Sequence, residues 1–253
     1  MSISAIILAG APADPEMQAK YSVKSRAEVP IAGKPMVQHV FDALRASPNV
    51  GNICLIGDIQ CEGADKIIPS VGSMIDNLIA GVNACEGGHV LISTSDISML
   101  TAEAVDDFIG RCGDLPADLY YAIIPKEACE QRFPGMRRTY VRLAEGTFTG
   151  GNMVVISSEF VLKNAEYLRQ VFESRKKPLK LARLIGVGTL IRAIIAQKIW
   201  AGAINLRVIE KTAGRVLNAD LRAVQTPYVE IGSDADDLGQ IEYFEAMVNG
   251  LAE

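Results

Sequence analysis

Ile3-Ser-Ala-Ile-Ile-Leu-Ala-Gly10 is the stretch that decides the fold. An apolar run rich in β-branched residues and stopped by glycine reads as a short buried strand. A long polar segment carrying Lys24 and Arg26 follows, and then Pro30-Ile-Ala-Gly-Lys-Pro-Met36, which opens a helix. A buried strand leading into a cation-bearing loop is expected to place a ligand at the strand's carboxyl end. Neither the phosphate-loop pattern nor the dinucleotide glycine fingerprint occurs. Gly186 and Gly188 imitate the latter only in part, since position 191 is Ile191.

Composition narrows the classes. With 253 residues, 49% of them hydrophobic, the chain can bury a full core as one α/β domain. A formal net charge of −5 argues against nucleic acid as a partner, because such domains carry a basic excess. Five cysteines at 54, 61, 85, 112 and 129 form no C-x-x-C pair, which fits a reducing, cytoplasmic setting. The start of the chain lacks a basic leader and a small-residue cleavage site, so no signal peptide is expected. Leu184–Ile191, the longest uncharged apolar run of the helical part, falls far short of the ~20 residues of a membrane span.

Strand-like and helix-like patterns alternate along the chain. Ile53–Ile56, Val90–Ser93, Tyr120–Ile124, Met153–Ile156 and Tyr228–Ile231 read as further strands. Helical patterns cover Met36–Leu44, Ser73–Ala84, Ala102–Arg111 and a long region at about 159–213. The alternation predicts an α/β, Rossmann-like, mostly parallel sheet with helices on both faces. The expected organisation is a single domain over 1–253 in two halves that meet near residue 125, the second carrying the helical insertion.

Residues just past the strands are therefore the candidates for chemistry. They include Gly10-Ala-Pro-Ala-Asp14, Asp96 after Thr94-Ser95, Thr149-Gly-Gly-Asn152, and Gly232-Ser-Asp-Ala-Asp-Asp237. Carboxylates at the ends of strands distant in sequence suit a divalent ion bridging phosphates, and Mg²⁺ takes one or two carboxylates plus phosphate and water oxygens. With His39 and His89 as the chain's histidines, a histidine-rich zinc site is not expected. Two plainer readings stand beside these: a strand-end turn for Asp96, and a dipole-favoured helix start for Asp234, Asp236 and Asp237.

Ile6-Ile-Leu-Ala-Gly10, Ile31-Ala-Gly-Lys-Pro-Met36, Thr94-Ser-Asp96 and Asp234-x-Asp236 occur in the order seen in MobA-like NTP transferases. The chain resembles that family, which has the glycosyltransferase-A-type fold, over essentially its whole length and most strongly up to residue 100. The resemblance implies a nucleotidyltransferase that joins an NTP to a phosphorylated small-molecule acceptor, with a nucleotide-binding half over about 1–125 and an acceptor-binding half over about 126–253. It also implies that Leu8, Ala9, Gly10 and Ala11, with Lys24, cradle the phosphates, and that Gly72-Ser73 lies beside the base. Asp96, with Asp234 or Asp236, would hold Mg²⁺. Ser73-Met-Ile-Asp76 equally reads as an ordinary helix start. The family's lysine eight residues before Lys34 is replaced by Arg26, which would offset charge at the α-phosphate. Arginine keeps that charge but is no neutral exchange for lysine. Ala11 and Pro12 stand where the family has further glycine, and they restrict backbone approach to an anion. A catalytically weakened nucleotide-binding regulatory protein is the alternative these departures support. A dehydrogenase is disfavoured by the missing glycine fingerprint.

Arg132, Arg137, Arg138 and Arg142 precede Thr147-Phe-Thr-Gly-Gly-Asn152. Arginine suits bidentate phosphate binding, so this run is a candidate for the acceptor's phosphate and a solvated face is its plainer reading. If extended, the run splits by parity, with Arg138 and Arg142 on one side. Gly150 and Gly151 would allow close backbone approach, and Asn152 could bond a hydroxyl. Apolar positions at 181, 184, 185, 191, 194, 195 and 199 form a helical stripe flanked by Arg183, Arg192 and Lys198. A core-packed helix, a homodimer contact and a basic surface for a membrane or lipid-linked acceptor are the three readings of it.

Overall fold

The computed structural model describes residues 2–174, 202 and 204–250. Its centre is the opening stretch: β1 (Ile3–Leu8) runs parallel between β4 (Val50–Ile56) and β6 (His89–Thr94). A separate hairpin joins β2 (Pro30–Ile31) and β3 (Lys34–Pro35). Among the described residues the main sheet has eight strands, seven of them side by side in the order β10 (Leu221–Gln225), β7 (Leu119–Pro125), β9 (Gly146–Ser157), β6, β1, β4 and β5 (Lys66–Ile68). The long strand β9 runs antiparallel between β6 and β7, and β8 (Val141–Leu143) pairs with its first residues.

Alternation along β1 shows why the sheet is covered twice. Ile3, Ala5 and Ile7 share a core with α2 (Met36–Ala46) and α4 (Ala102–Cys112), through Val37, Val40, Val105 and Phe108. Ile6 points the other way, against α3 (Met74–Ala84), α6 (Ser158–Lys163) and α7 (Ala165–Ser174). A strand buried on both faces reads as a continuous apolar run, as this one does.

A third core sits beyond the strand ends and backs the candidate site. It joins α1 (Pro15–Tyr21), α5 (Lys126–Arg132) and α9 (Leu238–Gly250) through Met17, Phe133 and Phe244. The rings of Phe133 and Phe244 meet edge-to-face, 5.6 Å between centroids. At the far edge, α8 (Leu206–Leu217) covers β10 and the cluster of Ile123, Leu143 and Phe148.

Two expectations need correcting. Tyr228–Ile231 is not a strand; it lies in a 3₁₀ turn over Val229–Gly232. Pro227 and Gly232 bracket a run too short to pair. The last strand is instead Leu221–Gln225, whose exposed Arg222 and Gln225 mark a sheet edge rather than a buried strand. Nor is 132–142 one extended segment. Arg132 ends α5, Gly135 takes φ +79°, and only Arg142 of the four arginines lies on a strand. The apolar stripe at 181–199 lies outside the described residues.

Candidate active site

The loop after β1 is closed rather than glycine-rich. Pro12 and Ser25 form an antiparallel bridge, Ala13 N donates to Lys24 O at 2.9 Å, and Arg26 N donates to Ala11 O at 3.1 Å. Asp14 caps α1, which fills the tip of the loop. Ser25 then caps a single turn, Arg26–Glu28, and Glu28 Oε2 accepts from Ser25 N at 3.0 Å. Ser25 Oγ also reaches back to Ala9 O at 3.1 Å. This reciprocal capping fixes Arg26 beside Ala9 and Ala11. Lys24 is exposed on the same arm. Lys34 turns away to pair with Asp42 of α2 at 2.5 Å. Its approach is a tight hairpin with Ala32 and Gly33 at φ +50° and +78°.

Arg26 meets Asp96, which lies just past a strand as expected, and Asp236, which follows a 3₁₀ turn rather than the expected strand. Its guanidinium pairs with Asp236 and lies 3.7 Å from Asp96 Oδ2. Asp96 follows β6 with its side chain 16% exposed, and Ala235 N donates to Asp96 O at 2.9 Å. That bond clips the late acidic segment onto the end of β6. Burial, and then the charge of Asp236, pushes the Asp96 carboxyl up. Burial, a hydrogen bond with Asp236 and the charges of Asp236 and Asp96 push Asp234 up to about 7. Asp96 and Asp236 thus face one guanidinium while Asp234 crowds against both carboxylates, and a divalent cation would relieve the crowding.

The donor set fits such a cation. Asp96 Oδ1 is buried without a hydrogen-bond partner, as is Arg26 Nε. Among the described residues, no three or more His, Cys, Asp and Glu side chains close into a metal cage. A metal here would therefore use one or two carboxylates and complete its shell with substrate oxygens, as Mg²⁺ does. Asp237 does something else: its Oδ1 accepts from Gln240 N at 2.9 Å at the start of α9, and it pairs with Arg137.

Beside Gly10 stands the second loop singled out in the sequence. Ser73 caps α3 in a reciprocal box with Asp76, which also pairs with Arg169 of α7 at 2.8 Å. The bond from Ser73 and then Arg169 hold the Asp76 carboxyl below its usual range. A Cβ on Gly10 would fall 2.8 Å from Asn77 Nδ2 and 2.9 Å from Ser70 Oγ. The structure therefore brings Leu8–Ala11, Gly72-Ser73, Arg26, Asp96, Asp234 and Asp236 to one end of the sheet.

On the other side an open cleft of about 640 Å³ is lined by Tyr121, Arg138, Asn152, Asp234 and Asp236, among others. Arg138 is held by the protein itself, donating to Gly232 O and, at 2.5 Å, to Ser233 Oγ. Arg132 pairs with buried Glu230 at 2.9 Å. Arg142 is exposed on β8. The glycine pair serves packing: a Cβ on Gly150 would fall 2.2 Å from Tyr121 Oη, and one on Gly151 2.9 Å from Ala122 Cβ. Sequence reading missed Tyr121 because its neighbours on β7 are core residues. Its phenol lines the cleft, and burial followed by the charge of Asp234 raises its pKa.

No protein-family model and no curated protein matches the chain. Solved structures do. CMP:2-keto-3-deoxy-manno-octonic acid synthetase, complexed with CTP, is 14% identical with a TM-score of 0.62; the match covers 99% of this chain and 100% of that one. The 2-C-methyl-D-erythritol 4-phosphate cytidylyltransferase of Thermus thermophilus is 11% identical, with a TM-score of 0.56 and coverage of 98% and 100%. These two establish the fold as that of glycosyltransferase-A-type nucleotidyltransferases. A hypothetical transferase from Thermus thermophilus is 37% identical over 95% of this chain and 100% of its own, with a TM-score of 0.86. The chain belongs to the family of that Thermus transferase.

Proposed function

We propose that the chain is a Mg²⁺-dependent, MobA-like nucleotidyltransferase that transfers an NMP from an NTP to a phosphorylated small-molecule acceptor. The observation that carries this reading is the convergence of Arg26, Asp96, Asp234 and Asp236 beside the Gly10 loop. An acceptor phosphate oxygen attacks the α-phosphorus, a new P–O–P linkage forms, the bond to the β-phosphate oxygen breaks, and pyrophosphate leaves. Leu8–Ala11 and Lys24 hold the triphosphate, with Gly72-Ser73 beside the base. Arg26 offsets charge developing at the α-phosphorus, where a fixed cation is worth most. Asp96 with Asp234 or Asp236 would hold Mg²⁺, which supplies Lewis-acid charge to the phosphate oxygens. The cleft of Tyr121, Gly150, Asn152 and Arg138 receives the acceptor, with Arg142 at its approach.

Because the similar synthetase is complexed with CTP, that nucleotide is the first to try. Pyrophosphate release with four NTPs against sugar, polyol and pterin phosphates tests the proposal, and no release with any pair would sink it. A nucleotide-binding regulatory protein is the second reading, favoured by Pro12 in the loop and by the carboxylates that hold Arg26. It requires Mg²⁺–NTP binding without pyrophosphate release. A cytoplasmic location fits five cysteines that are all free, and among the described residues no helix is long and apolar enough to cross a membrane.

A further inference from the structure

We infer that Asn77 is the positioning residue that locks the two nucleotide-facing loops together. The inference rests on the nucleotidyltransferase reading and assigns a role to a residue outside its motifs. Asn77 lies in the first turns of α3 and is 6% exposed. A buried amide must satisfy both of its ends or destabilise its surroundings. Here Oδ1 accepts from Val71 N at 2.9 Å and from Ser70 Oγ at 3.3 Å, and Nδ2 lies 3.1 Å from the same Ser70 oxygen. One side chain thus fixes Ser70 and Val71, the two residues leading into Gly72-Ser73.

The same amide forms the wall against which Gly10 packs. The missing Cβ of Gly10 is the space that Asn77 Nδ2 and Ser70 Oγ occupy. A second close approach lies alongside, where Ala9 N donates to Ile56 O at 2.8 Å and a Cβ on Gly57 would fall 2.8 Å from Ala9 O. Loops 60 residues apart in sequence therefore share a rigid contact built on Asn77. Val71 is 56% exposed and Met74 45% exposed, so little apolar packing holds this loop. Its order depends on the amide.

Three variants test this in the 253-residue chain, with the Mg²⁺ complexes of CTP, GTP, ATP and UTP as probes in calorimetry and amide exchange as the second readout. Asn77→Leu should weaken the nucleotide that the wild type binds by roughly tenfold. It should also speed exchange at Val71–Ser73 while leaving Leu78–Val82 protected. Asn77→Asp keeps the acceptor for Val71 N and should recover most of the loop's protection. Ser70→Ala, which leaves α3 untouched, should reproduce part of the loss. Unchanged affinity and exchange in Asn77→Leu would overturn the proposal, as would loss of protection along all of α3, which would mark a purely structural role. Failure of the wild type to bind any nucleotide is a different result: it defeats the nucleotidyltransferase reading itself, and the nucleotide role of Asn77 with it.

Discussion

The two sides of the cleft use charge in opposite ways. On the side proposed for the nucleotide, Arg26 sits on a capped turn bridged to the loop that follows β1, and its charge faces Asp96 and Asp236 beyond the end of β6. On the side proposed for the acceptor, three arginines are spent on the protein. Arg132 satisfies Glu230, Arg137 meets Asp237, and Arg138 holds the Gly232-Ser233 turn that leads into Asp234. Position just past a strand end predicts where Asp96 lies, because the backbone of β6 fixes it. A run of like charges does not say which members remain available to a ligand.

The largest expected effect lies on the nucleotide side. Asp96→Asn should reduce turnover by roughly a thousandfold, the upper range for losing one fixed electrostatic partner in a site. It should also abolish Mg²⁺-dependent NTP binding in calorimetry. The fold should survive with an unchanged or raised Tm, because a buried carboxylate beside like charges has been removed. Unchanged Mg²⁺–NTP affinity would remove Asp96 from the metal site.

Next comes Arg26→Ala, expected to lower kcat on the order of a hundredfold while KM for NTP moves little. Arg26→Lys should recover part of the rate, since it restores the charge but not the fork. A rise in KM with kcat intact would make Arg26 a simple binding residue and erase the contrast between the two sides.

A smaller effect is expected at Arg138. Its replacement by alanine should weaken acceptor binding by about 1.5–3 kcal/mol, the range for hydrogen bonds to a charged group, with NTP affinity unchanged. Because Arg138 also holds Gly232 and Ser233, Tm should fall as well. Arg137→Ala should leave Tm within error, since Arg137 is 88% exposed and exposed ion pairs contribute about 1 kcal/mol or less. Equal behaviour of the two variants would break the distinction drawn between them.

The last effect is one of pH and is read on stability rather than on activity. Asp234 is raised from 3.8 to about 7 in the folded protein. Its contribution favours the fold below its unfolded value and is lost as pH rises through about 7. Metal-free protein should therefore lose stability between about pH 4 and pH 8 at this site, and Asp234→Asn should flatten that part of the profile. Thermal unfolding across this range in the presence of a chelator measures it.

What the sequence made legible follows the same division. β1 and β6 and the second half of β4 are buried on both faces, so their apolar runs and terminal glycine or polar stops show plainly, and the buried Ala122–Ile124 marks β7. Asp96 could be placed because it follows a buried parallel strand; Asp234 and Asp236 follow a 3₁₀ turn instead, and it was the family resemblance that pointed to them. The edge strand Leu221–Gln225 could not, since it is half exposed and carries Arg222 near its start. Helix α9 was hidden behind the acidic segment that precedes it. Tyr121 and Asn77 escaped because each looks like core in one dimension. Their roles depend on Gly150 and Gly10, which leave room for them from loops far away. Ser25-Arg-Ala-Glu28 is a capping signature that would have located Arg26 on its turn without any structure.

The central claim is tested most directly by pyrophosphate release from CTP, GTP, ATP and UTP in the presence of Mg²⁺ and phosphorylated acceptors, with wild type and Asp96→Asn side by side. The expected result is acceptor-dependent release by the wild type with at least one nucleotide, and its near-complete loss in the variant. Release that persists in Asp96→Asn, or nucleotide binding by the wild type with no release for any acceptor, would contradict it.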